Sequence, residues 1–181
     1  MKGLGVGFSV RPADLDESPL PGETADQHVQ RLAQDKAKAR AEAGELVLAA
    51  DTVVVIDGDI LGKPRDIAEA RAMLERLAGR RHTVLSGVAL IDGSDQRSAH
   101  GMERTEVRIA VMKAADISWY VDTGEPMDKA GAYAIQGLGA LFVEEIEGNY
   151  SNVVGLPIPL TQSLFRDLGF DLRELCRPGG A

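Results

Sequence analysis

The stretch LVLAADTVVVIDGDILGKP, residues 46–64, joins a strand-like apolar run to polar residues that do not belong in one. From Leu46 to Ile56 every residue is apolar except Asp51 and Thr52. Such a run, closed by Asp57-Gly58, predicts a strand that doubles back through a two-residue turn and pairs with Ile60 and Leu61. An unpaired carboxylate in an apolar interior costs about 3 kcal/mol or more, so Asp51 is expected where a partner, a metal or a solvent-filled cleft meets it. The returning chain carries Gly62-Lys63-Pro64 towards the level of Asp51. From the residues alone, Asp51 and Lys63 fit either a structural ion pair at a strand end or a functional site.

Before this stretch, Thr24 and Gln27 form a capping box that opens a helix running to about Ala43, just before Gly44. Its apolar stripe is Val29, Leu32, Ala33 and Ala37, and Lys36 lies on that stripe. An inward lysine either snorkels to the rim or holds its ammonium towards a buried anion. After it, Asp66 and Glu69 cap a second helix with the stripe Ile67, Ala70, Met73, Leu74 and Leu77, stopped by Gly79. His82 to Ile91 predicts a strand turned by Asp92-Gly93-Ser94, and Thr105, Val107 and Ile109 alternate with charged residues as in a half-exposed strand. His82, next to Arg80 and Arg81, is expected at a surface corner. A short helix is expected over Asp116 to Val121, a strand from Leu141 into the acidic residues at 144–147, a last helix around Leu160 to Leu168, and a frayed tail over 173–181. Strands alternating with helices, plus two hairpins, predict an α/β fold on a mixed sheet, with all 181 residues in a single domain.

Composition narrows the function classes. A net charge of −8 and a pI near 4.9 argue against a sequence-independent nucleic-acid binder, which needs a basic stripe. No stretch approaches the length of a membrane span, so no membrane partner is expected. The N-terminus lacks an apolar core of signal-peptide length, and the lone Cys176 cannot form an internal disulfide, which together predict a cytoplasmic protein. Gly3, Gly5 and Gly7 open the chain rather than linking a strand to a helix, so they are not a dinucleotide fingerprint. The acidic run at 14–17 reads as a solvated loop or as a source of a cation-binding carboxylate. In residues 128–139, DKAGAYAIQGLG, glycines and alanines allow close backbone approach to a ligand, and Asp128, Lys129 and Gln136 supply polar groups. There is no GxxxxGK[ST] loop, CxxC pair, HExxH or GxSxG. What remains is Asp51 with Lys36, Lys63, Glu17, Asp128, Lys129 and Gln136 as candidate neighbours. Carboxylates and lysines without a His or Cys nucleophile suit metal-assisted attack of water on a phosphate better than acyl transfer.

Six segments in order carry a resemblance: DLDES at 14–18, RLAQDKA at 31–37, AADTVV at 49–54, LGKP at 61–64, DKAGAYAIQGLGA at 128–140 and SNVVGLP at 151–157. Together the chain resembles the Maf family of nucleoside triphosphate pyrophosphatases. That resemblance implies an elongated, twisted mixed sheet with flanking helices and a cleft between two lobes, similar to inosine triphosphate pyrophosphatases. It implies hydrolysis of a nucleoside triphosphate to monophosphate and pyrophosphate with a divalent cation, Mg²⁺ or Mn²⁺. By position, Asp51 resembles the family's proton acceptor, and Thr52 and Gln136 its base-discriminating residues. Lys36, Lys63 and Lys129 become the candidate phosphate-binding groups, with Glu17, Asp51 and Asp128 the candidate metal ligands. Asp51-Thr52 with Ile135-Gln136-Gly137 resembles the branch acting on dTTP, UTP and modified pyrimidine nucleotides, whereas the 7-methyl-GTP branch carries DQ and SEG. The alternatives are that second branch, or a nucleotide-binding cell-division regulator with little turnover. A homodimer is left open. Members of the family begin with a strand and an SxSPRR-like turn ahead of the position of Met1, so the resemblance predicts a chain lacking that phosphate-binding turn, an exposed sheet edge and weak turnover.

Overall fold

A computed structural model describes residues 1–176 of the chain. The central stretch folds as its pattern dictates. Strand β1 (Leu46–Ile56) turns through Asp57 at φ 55° and Gly58 at φ 85°, and returns as β2 (Asp59–Leu61), with Val54 opposite Leu61. Two successive positive φ values are the hallmark of the tight hairpin turn that matches strand twist. Strands β3 (Arg81–Asp92), β4 (Ser98–Ile109) and β5 (Val143–Glu147) complete a sheet in the order β2-β1-β3-β4-β5. The α/β character is as expected, but every pairing among these strands is antiparallel rather than mixed. The reason lies in the connections: β1–β2 and β3–β4 are direct hairpins, and the helical excursions return the chain in the opposite sense instead of making the right-handed crossover that parallel neighbours need.

Helix α1 (Ala25–Lys38) covers one face of the sheet, and α5 (Ile158–Asp167) covers the other with α2 (Ile67–Leu77) and α3 (Ala114–Asp122). Side chains alternate across a strand. Accordingly Val47, Ala49 and Val53 of β1 pack towards Val29, Ala33 and Ala37 of α1, while Leu46, Leu48 and Ala50 pack with Leu164 and Phe165 of α5. Val54 and Ile56 join Leu74 and Leu77 of α2 and Tyr120 of α3. Burial on both faces is why β1 reads as one long apolar run. It also puts Asp51 on the α1 face and Thr52 on the opposite one.

Two close approaches fix this layering. Gly87 of β3 lies directly opposite Asp51, and a Cβ there would collide with the backbone carbonyl of Val29, so α1 rests its main chain on the sheet at this point. Gly131 has φ 68°, donates its N–H to the Gly62 carbonyl at 3.0 Å, and leaves only 2.8 Å between an added Cβ and Val54 Cγ2. The first sets the height of α1 and the second clamps the 128–140 segment to the β1–β2 hairpin. Because β2 pairs only with Val54–Ile56, the outer edge of β1 over residues 46–53 carries no strand among the described residues.

Several expectations are corrected. Helix α1 ends at Lys38, not near Ala43, because Arg40 and Ala41 close tighter i→i+3 turns before Gly44 at φ 80°. Ile67 is exposed at the first position of α2 and lies off its packed stripe. His82 is not a surface corner: as a mid-sheet residue of β3 it points inward and is buried. Leu141 and Phe142 belong to the 3₁₀ turn Leu138–Phe142 that precedes β5. In the tail, α6 (Leu172–Leu175) is followed by Cys176, which bridges Val6, so the expected fraying does not extend to 173–176, and 177–181 lie outside the described residues.

Replacing Gly87 by Ala tests the contact under α1. Urea unfolding of Gly87→Ala is expected to show a loss of about 2–3 kcal/mol, the cost of overpacking against an immovable backbone. Gly62→Ala, which adds a methyl into open space, should stay within about 0.5 kcal/mol. Equal stability of the two variants would show that α1 does not rest on Gly87.

Candidate active site

All of the residues singled out from the sequence line one cleft of about 610 Å³: Glu17, Lys36, Asp51, Thr52, Lys63, Asp128, Lys129 and Gln136. The cleft runs past Ala50–Val54 of β1 and takes in residues from both faces of that strand. One wall is the face of α1 carrying His28, Leu32 and Lys36, and another is the 128–136 segment. The hairpin end with Gly62 and Lys63 and the turn at Val154-Gly155 complete it.

The centre of charge is Lys36. Its side chain points back along the helix, as helical side chains do, and its Nζ lies 2.6 Å from Asp51 Oδ1 and 2.6 Å from Glu17 Oε1. Asp51 is buried to 8% exposure, whereas Glu17 reaches in from the solvated 14–18 loop. Burial pushes the Lys36 ammonium down, but Asp51 and Glu17 outweigh it and leave the group above its ordinary value. Asp51 Oδ2 makes no hydrogen bond within the described residues, so one oxygen is anchored and the other faces the cleft.

Lys63 is exposed and pairs with no carboxylate among the described residues. Lys129 donates to its neighbour Asp128 at 2.7 Å, and this contact outweighs the opposing effect of burial and, with the nearby Lys63, holds the Asp128 carboxyl below its usual range. Gln136 is exposed and its amide makes no hydrogen bond in the described chain. The carboxylates fall into two groups, Glu17 with Asp51 on Lys36, and Asp128 on Lys129. No set of three or more His, Cys, Asp or Glu side chains placed to hold a metal occurs among the described residues. Glu17 Oε1 and Asp51 Oδ1 meet on the Lys36 ammonium, and the second oxygen of each carboxylate fits a hard cation of the Mg²⁺ kind, which commonly takes one or two carboxylates and completes its shell with substrate phosphates.

The structure adds residues that the sequence reading did not single out. Thr52 Oγ1 lies 2.7 Å from Ser86 Oγ, its partner across the β1–β3 ladder, and 3.3 Å from the Gly155 carbonyl. Tyr133 lines the cleft and its hydroxyl meets His82 Nε2 at 2.8 Å, the two rings standing edge to face. Burial pushes the Tyr133 phenol up and lowers His82 from 6.5 to about 4. Glu125 ties down the next turn of the loop, accepting from the N–H groups of Leu138 and Gly139 and from the Tyr120 hydroxyl. His28 sits on the cleft wall with Nδ1 3.1 Å from Glu23, itself gripped by Arg31. The spacing of His28, Leu32 and Lys36, four residues apart, is the signal that would have placed His28 there.

With this geometry in place, the comparisons with known proteins are specific. Residues 1–168 match the family described as Maf-like protein. The dTTP/UTP pyrophosphatase of Anaeromyxobacter dehalogenans (strain 2CP-C) is 54% identical over 174 residues, covering 93% of this chain and 87% of that protein. The proteins of the same name from Symbiobacterium thermophilum and Myxococcus xanthus are each 47% identical, covering 95% and 93% of this chain and 89% and 86% of theirs.

Two measurements probe the electrostatics. Lys36→Met strands the buried Asp51 and should lower the unfolding free energy by about 2–4 kcal/mol, whereas Lys63→Met should change it by less than about 0.5 kcal/mol. Equal effects would contradict the buried pair. His82 stays neutral in the folded chain while the unfolded chain takes up a proton near 6.5, so its contribution is fully present above that pH. About 3 kcal/mol is lost as pH falls from 6.5 to about 4, where folded His82 also protonates, and nothing further is lost below. Urea unfolding from pH 7 to pH 4 should therefore show a steeper loss in the wild type than in His82→Gln.

Proposed function

The chain belongs to the Maf-like protein family, and on that premise we propose that it hydrolyses dTTP and UTP, with related modified pyrimidine nucleotides, to the monophosphate and pyrophosphate. The observation that carries the reading is the Glu17–Lys36–Asp51 cluster, which opens into the same cleft as Lys63, Lys129, Thr52 and Gln136. A triphosphate needs cations held in place and a dry, shaped wall on one side, and catalysis of its cleavage is mostly positioning and charge stabilisation.

In this reading Lys63 and Lys129 meet the phosphates, as flexible ammonium groups at the open side of the cleft. Lys36 holds Asp51 by Oδ1, so that Oδ2 is aimed at a water molecule. That water adds to the α-phosphorus, the bond from the α-phosphorus to the α–β bridging oxygen breaks, pyrophosphate leaves with the bond electrons, and Asp51 takes the water proton. Glu17 and Asp51 would hold a divalent cation such as Mg²⁺ or Mn²⁺, which supplies charge neutralisation on the phosphate oxygens. Thr52 and Gln136 face the base. This role is assigned to the cytoplasm, the setting expected from the sequence; no helix among the described residues is long and apolar enough to cross a membrane.

Pyrophosphate release from a panel of nucleoside triphosphates with Mg²⁺ tests this directly. The fastest release is expected from dTTP or UTP. Preference for 7-methyl-GTP, or orthophosphate as first product, would refute the assignment. Asp51→Asn should lower kcat by at least about 100-fold while nucleotide still binds by calorimetry, because the variant keeps the side-chain shape and loses the base. If it retains most of its turnover, Asp51 does not accept the proton.

A further inference from the structure

Thr52 is held by a buried polar relay that gives its hydroxyl proton partners inside the protein. Ser86 and Asn152 are both fully buried. Ser86 Oγ lies 2.7 Å from Thr52 Oγ1 and 3.3 Å from the Asn152 carbonyl, and Thr52 Oγ1 lies 3.3 Å from the Gly155 carbonyl. Asn152 is itself fastened, donating from Nδ2 to the Val84 carbonyl at 3.1 Å and to Thr105 Oγ1 at 3.0 Å. Thr105 in turn joins the backbone of Asn149, the cap of helix α4 (Tyr150–Val154).

The two hydroxyls carry two protons, and the short contact between them uses one. Two arrangements keep both protons inside the protein: Thr52 donates to Ser86 and Ser86 to the Asn152 carbonyl, or Ser86 donates to Thr52 and Thr52 to the Gly155 carbonyl. In both arrangements the Thr52 proton is consumed inside the protein and its oxygen keeps a lone pair for the cleft. An acceptor at this position suits a ring N–H. It opposes a ring nitrogen that carries a lone pair, and a buried mismatch of that kind is what makes polar discrimination strong.

We propose that Ser86 is a specificity-determining positioning residue: by binding the Thr52 hydroxyl from below, it makes Thr52 an acceptor that selects a pyrimidine-2,4-dione, with its ring N–H, over a 4-aminopyrimidine. This rests on the pyrophosphatase reading and adds to it a reason for the base preference that lies outside the cleft lining. Without Ser86, Thr52 loses its 2.7 Å partner and keeps only the 3.3 Å contact to the Gly155 carbonyl, so its hydroxyl turns freely enough to donate into the cleft as well.

The test is the ratio of kcat/KM for UTP over CTP, with the same ratio read from dissociation constants by calorimetry. Ser86→Ala should lower both ratios by about 10-fold, the effect of one directed hydrogen bond. Thr52→Val should lower them at least as far, and Ser86→Ala placed in the Thr52→Val background should lower them no further. Thermal melts confirm folding; if Ser86→Ala does not fold, the isosteric Thr52→Val carries the test alone, and an unchanged ratio there overturns the inference. Unchanged ratios in folded Ser86→Ala, or additive losses in the double variant, overturn it too. If the wild type binds UTP over CTP but releases no pyrophosphate, the pyrophosphatase reading falls while the binding ratios still decide the role of Ser86.

Discussion

The Lys36–Asp51 ion pair depends on how flat α1 lies on the sheet, and most of the site depends on that pair. Two charged groups are taken largely out of water at this point, which is tolerable only if their geometry is held and their remaining partners are supplied. Gly87 lets the backbone of α1 touch the strand opposite Asp51, so the ammonium arrives at hydrogen-bonding distance without the side chain having to stretch. Glu17 then fills the outer side of the same ammonium from a loop with no regular structure of its own. A helix lifted by one methyl group would loosen the pair, the loop and the orientation of the free Asp51 oxygen together.

Strand β1 divides the work of the site between its faces. Asp51 turns towards α1 and the charged groups, while Thr52 turns towards the hydroxyl and carbonyl groups of Ser86 and Gly155. Neighbouring residues on a strand are the shortest covalent link that puts two side chains in opposite environments. In the proposed enzyme this would couple the phosphate end and the base end of one nucleotide through a single peptide unit, with little freedom to shift one relative to the other.

Much of this was legible in the residues. A carboxylate interrupting an apolar run, an inward lysine on a capped helix and a hairpin returning a second lysine are local signals, and all three converge as their spacing requires. The hidden part is what depends on register and packing. The Thr52–Ser86 contact follows from which residues face each other across β1 and β3, and no local pattern states that pairing. His82 is hidden for a related reason: its arginine neighbours suggest a surface, but a polar residue in a strand takes the face that alternation gives it, and here Tyr133 receives it. The end of α1 is equally hidden, since nothing in residues 39–43 lacks helix propensity and the stop comes from tighter turns.

The uncovered edge of β1 has a consequence for how the molecule behaves in a crowded solution. Unpaired strand edges are templates on which other chains can add, and among the described residues 46–53 offer one that is apolar apart from Asp51 and Thr52. A net charge of −8 sets like molecules against each other and so opposes edge-to-edge stacking at low ionic strength. Salt weakens that repulsion over distances of about 8–10 Å near physiological strength. Among the described residues this edge and the cleft overlap, so a nucleotide held as proposed would lie across backbone groups that no strand pairs, and its own negative charge would add to the repulsion between copies.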